Sequence, residues 1–238
     1  MPALPLTDLA DPGHDTPDRF ALITRIARAE EARSILELGV WEGRFAAHLL
    51  AACPDIETYW MLDPWRRLED WNKPFNIEDE PFEAAYQKAM DATDFAVAKR
   101  RVLRGTTAEK MDEVPDGSLD LAYVDGDHTL RGAVIDLIRI WPKLRPGGLL
   151  IGDDFMPSIW QHSPEFEPSA VFPIAVHFAE AQDCPIVAIG HNQFAMRKGE
   201  RGFQFIDPGR KYPPTALLGQ VAPPRNRDSL IGRFFGRA

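Results

Sequence analysis

The sequence predicts one α/β domain with a mostly parallel, seven-stranded sheet, helices on both faces and an antiparallel hairpin at one edge. Three observations carry this prediction. Short apolar runs alternate with amphipathic helical stretches, the pattern of a parallel sheet covered on both sides. The runs at 121–124 and 149–151 are apolar at every position, as in strands buried on both faces. The last two runs are separated only by His191-Asn192, which fits a hairpin.

Taken in order, residues 1–15 read as an irregular arm. A helix follows, capped by Asp15 or Thr16, with Pro17 in its first turn and Phe20, Ile23, Ile26 and Ala27 on one face. Strands are predicted at 34–39, 58–63, 101–104, 119–125, 148–152, 185–190 and 193–197. Helices are predicted at about 43–53, up to about 99, at 130–144 and at about 170–182. The run Arg145-Pro-Gly-Gly148 stops the helix at 130–144 and turns the chain. The domain is expected to span 16–205, with 206–238 a Pro- and Arg-rich peripheral tail.

Two segments, 64–80 and 155–173, follow strand carboxyl ends and mix aromatics with Pro and acids. They read as lids. Their aromatics either anchor the loops on the core or present an apolar surface to a ligand.

With 27 basic and 36 acidic side chains the formal charge is −9, which argues against binding to a phosphate backbone. No apolar run approaches the ~20 residues a membrane span needs. Residues 1–18 lack a basic n-region and do not read as a secretory signal. The two cysteines, Cys53 and Cys184, form no metal or redox spacing. A cytoplasmic protein is expected, and a dimer is the default assembly.

The segment Glu37-Leu-Gly39-Val-Trp-Glu-Gly43 joins a strand to a helix. Its glycines allow a tight turn and close approach of a ligand to the backbone. The spacing is not the pyrophosphate fingerprint G-x-G-x-x-G, and Glu37 would repel a pyrophosphate while suiting a cationic ligand. Twenty residues past Gly43 the second strand ends at Asp63, where an acid can accept ribose hydroxyl protons. These residues resemble the first motif of class I S-adenosylmethionine-dependent methyltransferases, E/D-x-G-x-x-x-G. The resemblance covers about residues 33–200 and implies a Rossmann-like fold. It also implies cofactor contacts from Glu37, Gly39, Gly43, Asp63 and Asp125, with Thr107 and Ala108 near the adenine.

The fourth strand ends in Asp125-Gly-Asp127-His128 and the fifth in Gly152-Asp153-Asp154. Adjacent strands lie ~4.8 Å apart, so three carboxylates crowd one crevice. They require protons or a cation, and hard oxygen ligands suit Mg²⁺. Asp127 reads as a turn or capping residue. The arrangement resembles the metal-dependent O-methyltransferases of the macrocin/mycinamicin and catechol types. That resemblance implies Asp125, Asp153 and Asp154 as metal ligands and a neutral His128 as the base that takes a proton from a small-molecule hydroxyl. His128 has an alternative as a helix-start bystander. The whole chain has two others: a metal-independent methyltransferase, or a non-catalytic nucleotide-binding module.

Overall fold

A computed structural model describes residues 5–9 and 16–215. Eight strands form one sheet: β1 (Ser34–Leu38), β2 (Thr58–Asp63), β3 (Arg100–Arg104), β4 (Leu119–Val124), β5 (Leu144–Gly152), β6 (Ile186–Ile189), β7 (Gln193–Arg197) and β8 (Phe205–Ile206). Their order is β3-β2-β1-β4-β5-β7-β6-β8. The first five strands are parallel, β7 is antiparallel to both β5 and β6, and β8 runs parallel to β6. The parallel sheet and edge hairpin match the sequence prediction; the strand count is eight, not seven. The added strand pairs only Phe205 and Ile206 with Ile186 and Val187, too short a run to show a period of two.

Among the described residues, seven α-helices surround the sheet: α1 (Leu6–Leu9), α2 (Arg19–Ala29), α3 (Arg44–Ala52), α4 (Asp79–Ala92), α5 (Thr107–Lys110), α6 (Leu130–Ile140) and α7 (Val171–Ala181). Successive strand residues point to opposite faces, and the core divides accordingly. Ile35, Tyr59, Met61, Leu121, Tyr123, Leu149 and Ile151 join α2, α3 and α4 in one buried cluster. Leu36, Leu38, Leu62, Leu103, Ala122 and Leu150 join α6 and α7 in the other.

Several local expectations shift. Asp18, not Asp15 or Thr16, caps α2, its carboxylate accepting from the Ala21 N–H at 2.8 Å. Pro17 therefore precedes the cap. The helix expected to reach about 99 ends at Ala92, where Thr93 closes it and a short 3₁₀ turn follows. Arg145-Pro-Gly-Gly148 is not a free turn. It lies inside β5, where the pairing jumps from Leu119↔Leu144 to Leu121↔Leu149, a bulge that absorbs the glycines.

Parts of the expected arm and tail, residues 5–9 and 206–215, are described. Leu6 and Leu9 are buried on the helical turn of α1. Tyr212 packs on Phe155 and Phe172, and its hydroxyl donates to the Phe155 carbonyl at 2.5 Å. Residues 216–238, which complete the expected tail, lie outside the described residues. No helix among the described residues is long and apolar enough to cross a membrane.

Candidate active site

The strand order reverses between β1 and β4, because the chain proceeds to β2 and β3 on one side and to β4 and β5 on the other. Ligands of open α/β sheets bind at the carboxyl ends beside such a switch. The ladder here continues one residue past each strand. Gly39 N–H donates to the Leu62 carbonyl at 2.9 Å, Asp125 N–H to Leu38 at 2.8 Å and Asp153 N–H to Val124 at 2.9 Å. Four strand tips are thereby aligned.

Gly39 sits at φ +86°, and a Cβ there would overlap the Asp125 carbonyl. The close crossing of β1 and β4 thus requires glycine. Gly43 caps α3 at φ +74°, with Ala89 of α4 against it: an added Cβ would lie 2.7 Å from the Ala89 Cα. The spacing that resembles a cofactor motif therefore also has a packing reason at both positions.

Asp63 holds this turn together. Its Oδ2 accepts from the N–H groups of Val40 and Trp41, both at 2.9 Å, and its Oδ1 from that of Trp65 at 2.8 Å. Burial raises its pKa against the opposing effect of these three donors. Glu37 forms the floor. It is 1% exposed and accepts from the Tyr59 hydroxyl at 2.7 Å. Burial lifts its pKa well above the usual carboxylate range, opposed by the Tyr59 bond, while Asp125 and Asp63 add to the rise. Thr107 opens α5, but its hydroxyl donates to Asp136 at 2.5 Å; Ala108 is exposed beside it. Burial pushes the Asp136 carboxyl up to about 7.

The acids at β4 and β5 are not equivalent. Asp125, His128 and Asp154 each offer a ligand atom within 4.8 Å of the others. His128 Nδ1 lies 2.7 Å from Asp154 Oδ2, and Nε2 lies 3.3 Å from Asp125 Oδ1. Asp153 turns inward. It is 7% exposed and accepts from Gln193 Nε2, from the Asp154 N–H at 2.8 Å and from Tyr123 at 3.3 Å. Arg19 contacts both Asp125 and Asp153. Asp127 accepts from the Thr129 N–H at 2.9 Å, a turn contact just before Thr129 caps α6.

The sequence expectation of a neutral His128 does not match this arrangement. Burial alone would depress the imidazole pKa, but contact with Asp125 and Asp154 outweighs it and pushes the value up to about 10. His128 is therefore cationic at neutral pH in this state. It in turn lowers the pKa of Asp154 against the effect of burial.

The lids meet over the crevice. Asn72 Nδ2 donates to the Glu165 carbonyl at 2.9 Å, and buried Lys73 Nζ donates to the Glu167 carbonyl at 2.8 Å and to Ser169 Oγ at 3.0 Å. The lid aromatics divide by burial. Trp65, Phe155 and Phe172 are buried anchors, whereas Phe75 and Trp160 are 63% and 58% exposed. Arg19, Gln193 and Lys73 were not identified from sequence. Their partners lie 40 to 134 positions away, so no local spacing marks them.

The fold and this crevice define a Rossmann-like α/β protein with a nucleotide-type turn facing an acidic pocket. A family model described as "Methyltransferase domain" matches residues 36–155, and the chain belongs to that family. A protein of Mycobacterium sp. (strain JLS), provisionally named an O-methyltransferase, is 26% identical over 140 residues, 58% of this chain and 56% of that protein. An uncharacterized protein of Sinorhizobium fredii is 29% identical over 159 residues, which is 62% of this chain but 17% of the relative. The chain thus spans only part of the curated relatives it matches. Among solved structures, a Staphylococcus aureus protein provisionally described as a caffeoyl-CoA O-methyltransferase superposes with a TM-score of 0.59 at 17% identity, covering 78% of this chain and 86% of that one. TomG of Streptomyces achromogenes, an O-methyltransferase solved in complex with S-adenosylmethionine, gives 0.53 at 16% identity, covering 82% and 89%.

Proposed function

We propose that the chain is a S-adenosylmethionine-dependent O-methyltransferase acting on a hydroxyl of a small molecule, with a divalent cation, Mg²⁺ in the first instance, in its acidic crevice. The observation that carries this reading is the convergence of the Gly39 turn, held by Asp63, with Asp125, His128 and Asp154 at one switch point. Family membership and the fold support the methyl-transfer half. The donor set supports the metal half: carboxylate oxygens of Asp125 and Asp154 lie close enough to share one ion, whereas Asp153, the third ligand expected from the sequence, has its oxygens engaged by Gln193, Tyr123 and the Asp154 N–H.

Cofactor recognition falls to the first two strand tips. Asp63 Oδ1 carries one backbone hydrogen bond and keeps acceptor capacity for a ribose hydroxyl. Glu37 and Asp125 face the cationic end of the cofactor, and Thr107 and Ala108 flank the adenine side. A bound divalent cation would lower the pKa of the acceptor hydroxyl. His128 Nε2 is the atom placed to take that proton. Asp154 orients the ring through Nδ1, and Nε2 has no aligned hydrogen-bond partner among the described residues. His128 becomes a base at neutral pH when Asp125 and Asp154 are engaged elsewhere, which removes the cause of its raised pKa. Phe75 and Trp160 supply apolar surface at the mouth for the acceptor, and the joined lids exclude water. Holding nucleophile and methyl group in line is the main catalytic task.

Calorimetry with S-adenosylhomocysteine, with and without Mg²⁺ and EDTA, tests the reading together with turnover on a panel of hydroxylated acceptors. Absence of S-adenosylhomocysteine binding would remove the enzyme assignment and leave a module without the cofactor. Turnover insensitive to EDTA would instead establish a metal-independent enzyme, a second reading favoured by the two protein cations, Arg19 and His128, already among the acids.

A further inference from the structure

Arg19 belongs to none of the strand tips, yet its guanidinium reaches the centre of the acidic crevice. Nη1 stands 2.9 Å from Asp125 Oδ2 and also contacts Asp153 Oδ2. The fold delivers it there from both sides. Downstream, Phe20 packs edge-on against Phe45 at 5.2 Å, and Phe45 stacks on Tyr123 of β4 at 4.4 Å. Upstream, His191 Nε2 lies 2.9 Å from the Thr16 carbonyl and 3.2 Å from Thr16 Oγ1, tying the approach to the β6–β7 turn.

The alternation of the sheet explains why this helix supplies the cation. Residues 35, 59, 61, 121, 123, 149 and 151 face the α2 side. Continuing the period of two places Glu37, Asp63, Asp125 and Asp153 toward that same side. The first residue of α2 lies on that side, from which a cation can answer them.

We infer that Arg19 is the resident counter-ion of the crevice: it occupies a carboxylate oxygen of Asp125 that a divalent cation needs, steadied by the neighbouring Asp153, so guanidinium and metal exclude one another and Arg19 sets the metal affinity. The inference rests on the proposed cation site. Two cations cannot share that oxygen at close range without strong repulsion. The guanidinium holds it in the ion's absence by a charge-assisted hydrogen bond. Its departure needs no unwinding. The Arg19 side chain is 39% exposed, and its backbone N–H, at the first helical position, has no intrahelical acceptor to lose. Metal loading is then an exchange of one protein cation for one inorganic one.

Mn²⁺ binding by the full chain, followed by electron paramagnetic resonance of the free ion and by calorimetry, tests this with Arg19→Gln, Arg19→Lys and Asp154→Ala. S-adenosylhomocysteine binding verifies that each variant is folded. Arg19→Gln is expected to bind Mn²⁺ about tenfold or more tighter than the unaltered protein, the equivalent of one charge-assisted hydrogen bond no longer opposing the ion. Arg19→Lys keeps the charge and is expected to fall between the two. If the unaltered protein binds Mn²⁺ through Asp154 and Arg19→Gln binds it equally or more weakly, the role of Arg19 is overturned and the cation site stands. If neither protein binds Mn²⁺ while both bind S-adenosylhomocysteine, the cation site fails and the inference falls with it.

Discussion

Replacing Gly39 by alanine isolates how tightly β1 and β4 must cross at the switch point. Two costs add. The left-handed φ of +86° opposes any Cβ by about 1–2 kcal/mol. The new methyl group also overlaps the Asp125 carbonyl, which is backbone and cannot rotate away. Overpacking of that kind costs about 1–3 kcal/mol, and relief requires parting the two tips and stretching the 2.8 Å bond from Asp125 N–H to Leu38. The sum, about 2–5 kcal/mol, corresponds to a drop on the order of 10 °C in melting temperature for a domain of this size. Gly117 provides the control. It has φ +66°, but nothing lies within 4 Å of an added Cβ, so Gly117→Ala incurs the backbone cost alone, about 1–2 kcal/mol. Thermal and urea unfolding measure both variants, and S-adenosylhomocysteine calorimetry reads whether the turn has moved. Equal melting temperatures for the two variants, or unchanged ligand affinity in Gly39→Ala, would refute the close-approach argument.

Asp154→Ala is expected to abolish turnover while S-adenosylhomocysteine affinity stays near that of the unaltered protein; normal turnover would remove Asp154 from the site. In metal-free protein the raised His128 pKa contributes stability that is full below about 6.5, the free imidazole value, and is lost as pH rises through about 10. The melting difference between the unaltered protein and His128→Gln should therefore shrink across that window, and a difference independent of pH contradicts the ion-pair arrangement. Asp136, with its pKa raised to about 7, contributes stability that is full below about 3.9 and lost as pH rises through 7. Asp136→Asn keeps an acceptor for Thr107, so it should gain on the unaltered protein as pH rises from about 4 to 7; a parallel pH profile would show that Asp136 is not buried as described. Glu30 and Arg197, each 5% exposed and paired at 2.8 Å, form a buried ion pair distant from the site. Removing one partner by Arg197→Met should cost about 3–5 kcal/mol, whereas a urea midpoint unchanged by that substitution excludes a desolvated pair.

Much of the fold was legible because its strands lie in the middle of a parallel sheet. Residues 121–123 and 149–151 are buried on both faces, and continuous apolar runs leave few other readings. Boundaries were less legible where local signals compete with pairing. Arg145-Pro-Gly-Gly148 has turn composition but is drawn into β5 by a bulge against β4. Phe205-Ile206 becomes a strand only because the β6 edge is available to it. Neither outcome is written in the segment's own residues.

The candidate site divides along the same line. Glu37, Gly39, Gly43, Asp63, Asp125, Asp153 and Asp154 lie at or beside strand ends in order, so the strand pattern brought them to one edge while a family resemblance supplied their expected roles, and the demand for positive charge among three acids was visible at once. What spacing does not specify is which cation answers that demand. The structure satisfies it with Arg19, 106 residues from Asp125, and with His128, three residues away. His128 is cationic for the same reason that makes the crevice attractive to a metal. A divalent ion would relieve both demands together, freeing the imidazole to accept a proton and the guanidinium to leave. The base and the counter-ion are therefore coupled through the carboxylates, and measuring the pKa of His128 with and without Mn²⁺ reads that coupling directly. A fall from about 10 toward neutrality on ion binding is the expected result. An unchanged value would mean that the acids hold the imidazolium regardless of metal, and His128 would then be a fixed charge, not the base.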